Sequence, residues 1–305
     1  MVEIGRHVPV LLEEAIEFLN IRRGGTYIDC TVGLGGHSFA IARRLGAQGH
    51  LIGFDKDTAA LEIARKRLVE PVPAVTQGSP EVMPDWPAVT LIHGSFAEVG
   101  ERVPAGTADG MLADLGVSSL QLDDAARGFS FQAEGPLDMR MNPLGELDAE
   151  QVVNRLDERT LANVIYEFGE ERRSRRIARA IVRARPLRST AHLAQVVAAA
   201  APTMKHERIH PATRTFQAIR IYVNRELDDL KRLVGDAPKA LKKGGRLAVI
   251  SFHSLEDRIV KEALREGAQK GLWTLLTKKP VTAKHGEIGR NPRSRSAKLR
   301  AAERK

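Results

Sequence analysis

The chain is poor in cysteine. Cys30 is the single one in 305 residues, which excludes an intrachain disulfide and fits a reducing compartment. Long apolar runs are missing too. None approaches about 18 residues, so no membrane span is expected. The first residues carry Glu3 and early charge, not a basic segment followed by an apolar one, so no signal peptide is expected. A cytoplasmic location is expected from these absences. There are no internal repeats. Acids are also in deficit: 38 Asp and Glu stand against 47 Lys and Arg, a net charge of +9. That excess favours a polyanionic partner, nucleic acid ahead of a membrane surface, with general basicity as the plainer alternative.

What is present centres on Asp29-Cys30-Thr31-Val32-Gly33-Leu34-Gly35-Gly36-His37. Apolar Tyr27-Ile28 lead in and a helical pattern follows, so the order reads strand, glycine turn, helix. Such a turn lets backbone approach a ligand and aims helix N–H groups at it. The dinucleotide pattern G-x-G-x-x-G fails here, because Ser38 stands at its sixth position. Asp29 could face the ammonium of a cofactor that carries an amino acid. Asp55 ends a second apolar run, 22 residues after Gly33, where an acid meets ribose hydroxyls. Together these favour S-adenosylmethionine over NAD.

Strand-like runs at Tyr27–Thr31, His50–Phe54, Val89–His93, Gly110–Leu115 and Arg246–Phe252 alternate with amphipathic helical patterns at Val10–Leu19, Ser38–Leu45, Thr58–Leu68 and Leu255–Leu264. The alternation predicts an α/β fold with a doubly wound parallel sheet. Gly24-Gly25 and Gly244-Gly245 read as helix-to-strand turns. Residues 70–87, with five prolines, read as an exposed loop. Strand signals stop after Leu115 and resume near Arg246. A helical lobe inserted at 138–210 is therefore expected, between sheet segments 1–137 and 211–305.

Asp114-Leu115-Gly116-Val117-Ser118-Ser119 follows the fourth strand, at the edge where open α/β sheets bind ligands. Phe96 follows the third strand and is a candidate to stack on adenine, against the plainer role of a core residue. Eight arginines fall within residues 172–188. Arg172, Arg176, Arg179 and Arg183 recur at helical spacing, as an RNA-phosphate stripe or a solvated face. His253 ends the fifth strand, where it could touch substrate, and Ser254 with Asp257 reads as its helix's capping pair. His206-Glu207-Arg208-Ile209-His210 matches the zinc-protease string H-E-x-x-H, but Pro202 and Pro211 leave too short a helix and no third ligand is evident. No metal is expected, and His210-Pro211 is expected to open a helix over Ala212–Leu233.

Several motifs coincide: His7-Val8-Pro9-Val10-Leu11, Gly35-Gly36-His37-Ser38, Asp114-Leu115-Gly116-Val117-Ser118-Ser119, Gln121-Leu122-Asp123, Arg127-Gly128-Phe129-Ser130, Gly135-Pro136-Leu137-Asp138-Met139-Arg140-Met141, Thr215-Phe216-Gln217-Ala218-Ile219-Arg220-Ile221, the run from Ser251 to Arg258 and the run from Asn291 to Arg300. In these the chain resembles, nearly end to end, the bacterial 16S ribosomal RNA cytosine-N4 methyltransferase family. The resemblance implies a Rossmann-like class I methyltransferase sheet interrupted by an all-helical substrate-recognition lobe. It implies methylation of one decoding-centre cytidine, with 16S rRNA or the small ribosomal subunit as partner. It places methyl-donor contacts at Gly35, Gly36, His37, Asp55, Phe96, Asp114 and Gln121. The proline-rich loop looks longer than usual for the family. The D/N/S-P-P-Y/F/W motif of many amino-methyltransferases is absent, so the group that orients the target amine is not readable by that analogy.

Asp114, or the Ser118-Ser119 loop, is the candidate acceptor for that amine. Arg172, Arg176, Arg179, Arg183 and His253 are candidate RNA contacts, with the basic residues of the last 28 as further ones. Two other readings stay open: a small-molecule oxidoreductase on a Rossmann sheet, and a non-catalytic RNA-binding assembly factor. A homodimer is left open as well.

Overall fold

The computed structural model describes residues 9–69, 85–202 and 209–305. The chain divides into two compact units, 1–116 with 227–305, and 117–226.

In chain order the first unit holds α1 (Leu12–Leu19), β1 (Thr26–Asp29), α2 (Gly36–Leu45), β2 (His50–Asp55), α3 (Thr58–Leu68), β3 (Ala88–His93), α4 (Val99–Arg102) and β4 (Ala108–Asp114). The second unit supplies α5 (Ser119–Asp123), α6 (Ala149–Arg155), α7 (Glu158–Gly169), α8 (Ser174–Arg183), α9 (Thr190–Ala200) and α10 (Ala212–Asn224). The chain then returns through α11 (Glu226–Ala240), β5 (Leu241–Ser251), α12 (Ser254–Gln269), β6 (Trp273–Leu275), β7 (Val281–Thr282), α13 (His285–Arg290) and β8 (Lys298–Arg304).

The strands form one sheet in the order β3-β2-β1-β4-β5-β8-β6, with β7 also on β8. β1 to β5 pair in parallel, whereas β8 runs antiparallel to β5, β6 and β7. Period-two alternation builds a three-layer core. Ile28, Phe54, Met111, Leu247 and Val249 bury with Leu230 and Leu233 of α11 and Val260 and Leu264 of α12. Their neighbours Tyr27, Leu51, Leu112, Ala248 and Ile250 bury on the other face with Ala15 and Leu19 of α1 and Ile41 and Leu45 of α2. Strands covered on both faces read as continuous apolar runs, which makes their positions legible. Strand order reverses between β1 and β4, and ligands of open α/β sheets bind at the carboxyl ends beside such a reversal.

One expectation for this unit changes. Gly244-Gly245 lies inside β5, at an irregular start where the register against β4 shifts, and not in a turn before the strand. The basic C-terminal stretch is folded: β8 lies between β5 and β6, and Ala297, Leu299, Ala301 and Ala302 are buried.

In the second unit all the regular elements of the described residues are helical. Its core gathers Val152, Val153, Leu161, Ile165, Ile177, Ile181, Leu193, Val197, Phe216 and Ile219. This unit is wider than the expected 138–210, because Phe129, Leu137 and the apolar face of α10 belong to the same core. The helix expected across Ala212–Leu233 breaks at Arg225, which takes a left-handed conformation with φ 53°. Asn224, the last residue of α10, is held there. Its Nδ2 donates to the Met139 and Arg220 carbonyls at 2.7 and 2.9 Å, and its Oδ1 accepts the Met141 amide at 2.7 Å.

No helix among the described residues is long and apolar enough to cross a membrane.

Candidate functional site

The turn after β1 is shaped by backbone that β-carbons oppose. Gly33 and Gly35 take φ of 51° and 77°, values that cost other residues strain. At Gly36 a β-carbon would sit 2.5 Å from Pro9 Cγ. Asp29 holds the turn from beneath. Its Oδ2 accepts the Ser38 hydroxyl at 2.6 Å and its Oδ1 the Thr31 amide at 3.0 Å. The carboxylate is fully buried and engaged within the loop, so Asp29 braces the turn; the expectation that it faces a ligand ammonium is corrected. Burial raises its pKa, against the lowering pull of Ser38, His37 and the Thr31 amide.

Asp55, at the end of β2, is bonded to the same turn. Its Oδ2 accepts the Gly33 amide at 2.7 Å and its Oδ1 the Asp57 amide at 2.8 Å. Each oxygen keeps further acceptor capacity for hydroxyls. Burial pushes the Asp55 carboxyl up to about 6, despite the two amides that favour its charged form.

Asp114 ends β4, directly beside β1. Its amide donates to Thr31 Oγ1 at 2.7 Å, which locks the two strand ends together. Its Oδ2 lies 3.4 Å from His37 Nε2, out of hydrogen-bonding alignment. Asp114 Oδ1 and both His37 ring nitrogens are buried without a hydrogen-bond partner. Burial pulls the His37 pKa down, but Asp114, Asp29 and the Val10 carbonyl outweigh it and leave the imidazole above its ordinary value. Buried polar atoms without partners are costly. A cationic or hydrogen-bonding ligand group at this edge would relieve Asp114, so the residues present fit an aminoacyl cofactor.

Phe96 follows β3 and is half-buried against the apolar core, so part of its ring serves packing. Ser95 before it forms a capping box with Glu98. The Ser95 hydroxyl donates to Asp229 Oδ2 at 2.6 Å, an oxygen that also pairs with Lys56 at 2.6 Å. Thr31, Lys56 and Asp229 thus support this edge of the sheet, although no local sequence pattern marks them. Thr31 lies within the glycine-rich turn, but its role depends on β4 lying alongside. The Asp229 link spans 134 residues, which no local pattern can report.

His253 is the N-cap of α12. Its Nδ1 accepts the Glu256 amide at 3.5 Å, while buried Glu256 Oε2 accepts the Phe252 and His253 amides at 2.8 and 3.3 Å. The expected Ser254–Asp257 capping pair is therefore corrected to His253–Glu256. Asp257 instead holds Lys298 and Arg300 at 3.2 and 2.7 Å.

Gln121 belongs to the second unit, where its Oε1 accepts the Ser118 amide at 3.0 Å in a capping box. Of the arginine stripe, Arg176, Arg179 and Arg183 lie on α8 and are exposed; Arg172 is exposed but precedes the helix, whose first residue is Ser174. Arg179 pairs with Glu158 at 3.3 Å. Of the H-E-x-x-H string, residues 206–208 lie outside the described residues. His210 packs on Phe131, with ring centroids 4.7 Å apart. The proline-rich loop at 70–84 also lies outside them.

The chain is similar to known proteins over nearly its whole length. A sequence profile of the MraW methylase family matches residues 5–305. The chain is 68% identical to the ribosomal RNA small subunit methyltransferase H of Koribacter versatilis, over 98% of this chain and 94% of that protein. It is 63% identical to the protein of the same name from Acidobacterium capsulatum, over 98% and 99%. For the Solibacter usitatus protein of that name the identity is 52%, over 97% and 99%.

Proposed function

The chain belongs to the MraW methylase family, and from that premise we propose that it methylates the N4 amine of one cytidine in the decoding region of 16S ribosomal RNA. S-adenosylmethionine is the cofactor and, when bound, supplies an electrophilic methyl group on a sulfonium. The observation that supports the reading best is the carboxylate of Asp114. It stands at the strand-order reversal with Oδ1 buried and unpartnered.

Cytosine N4 is a weak nucleophile, because its lone pair is delocalised into the ring. Asp114 accepts a hydrogen from that amine or holds the cofactor's ammonium, and in either role it fixes the geometry of transfer. Positioning of this kind contributes roughly 7–11 kcal/mol. No strong base is required, since the methylated nitrogen sheds its proton readily to water. Asp55 takes the ribose hydroxyls. Gly35, Gly36 and His37 form the cofactor cradle, and Phe96 and Gln121 complete the donor contacts. The target base is taken unpaired or flipped from its stack. Arg172, Arg176, Arg179 and Arg183 take the flanking phosphates.

Mass spectrometry of nucleosides from small-subunit RNA, compared between cells with and without the gene, tests the reading. Loss of one N4-methylated cytidine is the expected result; an unchanged nucleoside pattern would contradict it.

A further inference from the structure

Away from the turn of β1, the far edge of the sheet carries a groove of about 470 Å³. Lys261, Leu264 and Arg265 of α12, Leu275 of β6, Thr277, Lys278, Lys279 and Pro280 of the β6–β7 connection, and Arg300 of β8 line it. Five of these nine residues are cations and none is an acid.

Helical spacing puts Lys261 and Arg265 one turn apart on the face that Leu264 anchors in the core. Lys278 and Lys279 come from the short segment that closes the groove opposite. All four are exposed, and among the described residues none has an acidic partner. Glu262 and Glu266 share α12 but do not line the groove. Arg300 is 8% exposed and its Nε is bound to Asp257 at 2.7 Å. Asp257 also pairs with Lys298, so one carboxylate serves two cations and the floor stays positive. Leu264, Leu275 and Pro280 add an apolar wall.

Uncompensated like charge on one concave surface opposes the folded state by self-repulsion, and a polyanion removes that repulsion. We infer that this groove is a second RNA-binding site, which takes the phosphodiester backbone of the substrate RNA away from the methylated base. Register supports a shared strand. Arg300 pairs with Val249 of β5, and Ile250, the next residue, pairs with Asp114. Arg300, on the floor of the groove, is thus level with the reactive edge, two strands along from β4, or roughly 10 Å at ordinary strand spacing. The inference rests on the proposed reading for the identity of the RNA, but its binding test does not need methyl transfer.

The test is the full chain with Lys261, Arg265, Lys278 and Lys279 all changed to Gln, titrated with full-length 16S RNA at several salt concentrations. Every changed side chain is exposed, and unchanged S-adenosylmethionine affinity by calorimetry reports an intact fold. The slope of log K against log salt should shrink by roughly 2–3, at about 0.7 for each single-strand phosphate that the variant no longer neutralises. KM for RNA should rise with kcat unchanged. A variant with Arg at the three lysine positions should recover the wild-type slope. An unchanged slope with unchanged KM would overturn the site. So would intact binding to bare RNA with weakened binding to the protein-bearing subunit, since that would make the occupant a protein surface. A wild type that binds RNA with the full slope but transfers no methyl to it would contradict the proposed reaction and leave the groove standing.

Discussion

Asp55 accepts the Gly33 amide at 2.7 Å, so the acid that ends the second strand is bonded to the glycine turn that ends the first. One carboxylate therefore fixes the backbone of the glycine turn and, on the proposed reading, offers its remaining acceptor capacity to a ribose. Asp55→Ala should lose both functions. A hydrogen bond to a charged group contributes about 1.5–3 kcal/mol, so S-adenosylmethionine affinity measured by calorimetry should fall roughly 10- to 150-fold. Wild-type affinity in this variant would remove Asp55 from the site.

The same residue predicts a pH dependence. Its carboxyl titrates at about 6 in the folded protein, against an ordinary value of 3.8, because burial disfavours its charge. The folded chain thus keeps a proton that the unfolded chain has released. The resulting stabilisation is complete below about pH 4 and is lost as pH rises through 6. Cofactor affinity should move the other way, because the ionised carboxylate is the better acceptor. It should increase between about pH 5 and 7 with an inflection near 6, and Asp55→Asn should remove that inflection. Titration calorimetry across this range decides the point; an equal inflection in the Asn variant would assign it elsewhere.

Asp114→Asn keeps the shape of the side chain but exchanges one acceptor oxygen for a donor. Turnover should fall by roughly 10²-fold or more, the scale of groups that handle protons. A large loss of cofactor affinity would assign Asp114 to the donor, and a small one to the amine. Near-normal single-turnover methylation by the variant would exclude both roles.

Much of this arrangement is legible from the chain alone. β1, β2, β4, β5 and the glycine turn stand out because parallel strands buried on both faces leave continuous apolar runs. Less legible is whatever depends on distant partners. The antiparallel β8 reads as a basic tail, since Lys298, Arg300 and Arg304 mask the buried Leu299, Ala301 and Ala302. The break at Arg225 is hidden because helical periodicity continues on both sides, while the bonds of Asn224 go to Met139 and Met141, more than 80 residues earlier. Asp29 reads as a ligand group because its engagement by Ser38 and Thr31 is a detail of loop geometry that spacing does not report.

Asn224→Ala tests the corrected boundary of the helical unit. It strips partners from the Met139 carbonyl and the Met141 amide, and an orphaned buried group costs about 1–3 kcal/mol. Thermal unfolding should show a clear drop in Tm, whereas Asn224→Asp should retain the acceptor for Met141 and lose the donor to Met139. An unchanged Tm in the Ala variant would mean that the Met139–Met141 segment is not held by this residue.

Changing Arg172, Arg176, Arg179 and Arg183 to Gln should weaken RNA binding and flatten its salt dependence, by about 0.7 in slope for each phosphate that is no longer neutralised. Arg179 should contribute least, because Glu158 already engages it. Cofactor affinity should stay constant. Filter binding over a salt series checks this, and an undiminished slope would make the stripe a solvated face.

The most direct measurement is methyl transfer by the purified chain from labelled S-adenosylmethionine to 16S RNA or small subunits, followed by nuclease digestion and mass spectrometry. The account predicts one N4-methylcytidine per RNA, at a decoding-region position, formed by the wild type and greatly reduced with Asp114→Asn. Methyl groups on another atom or another base, or transfer that ignores the loss of Asp114, would contradict it.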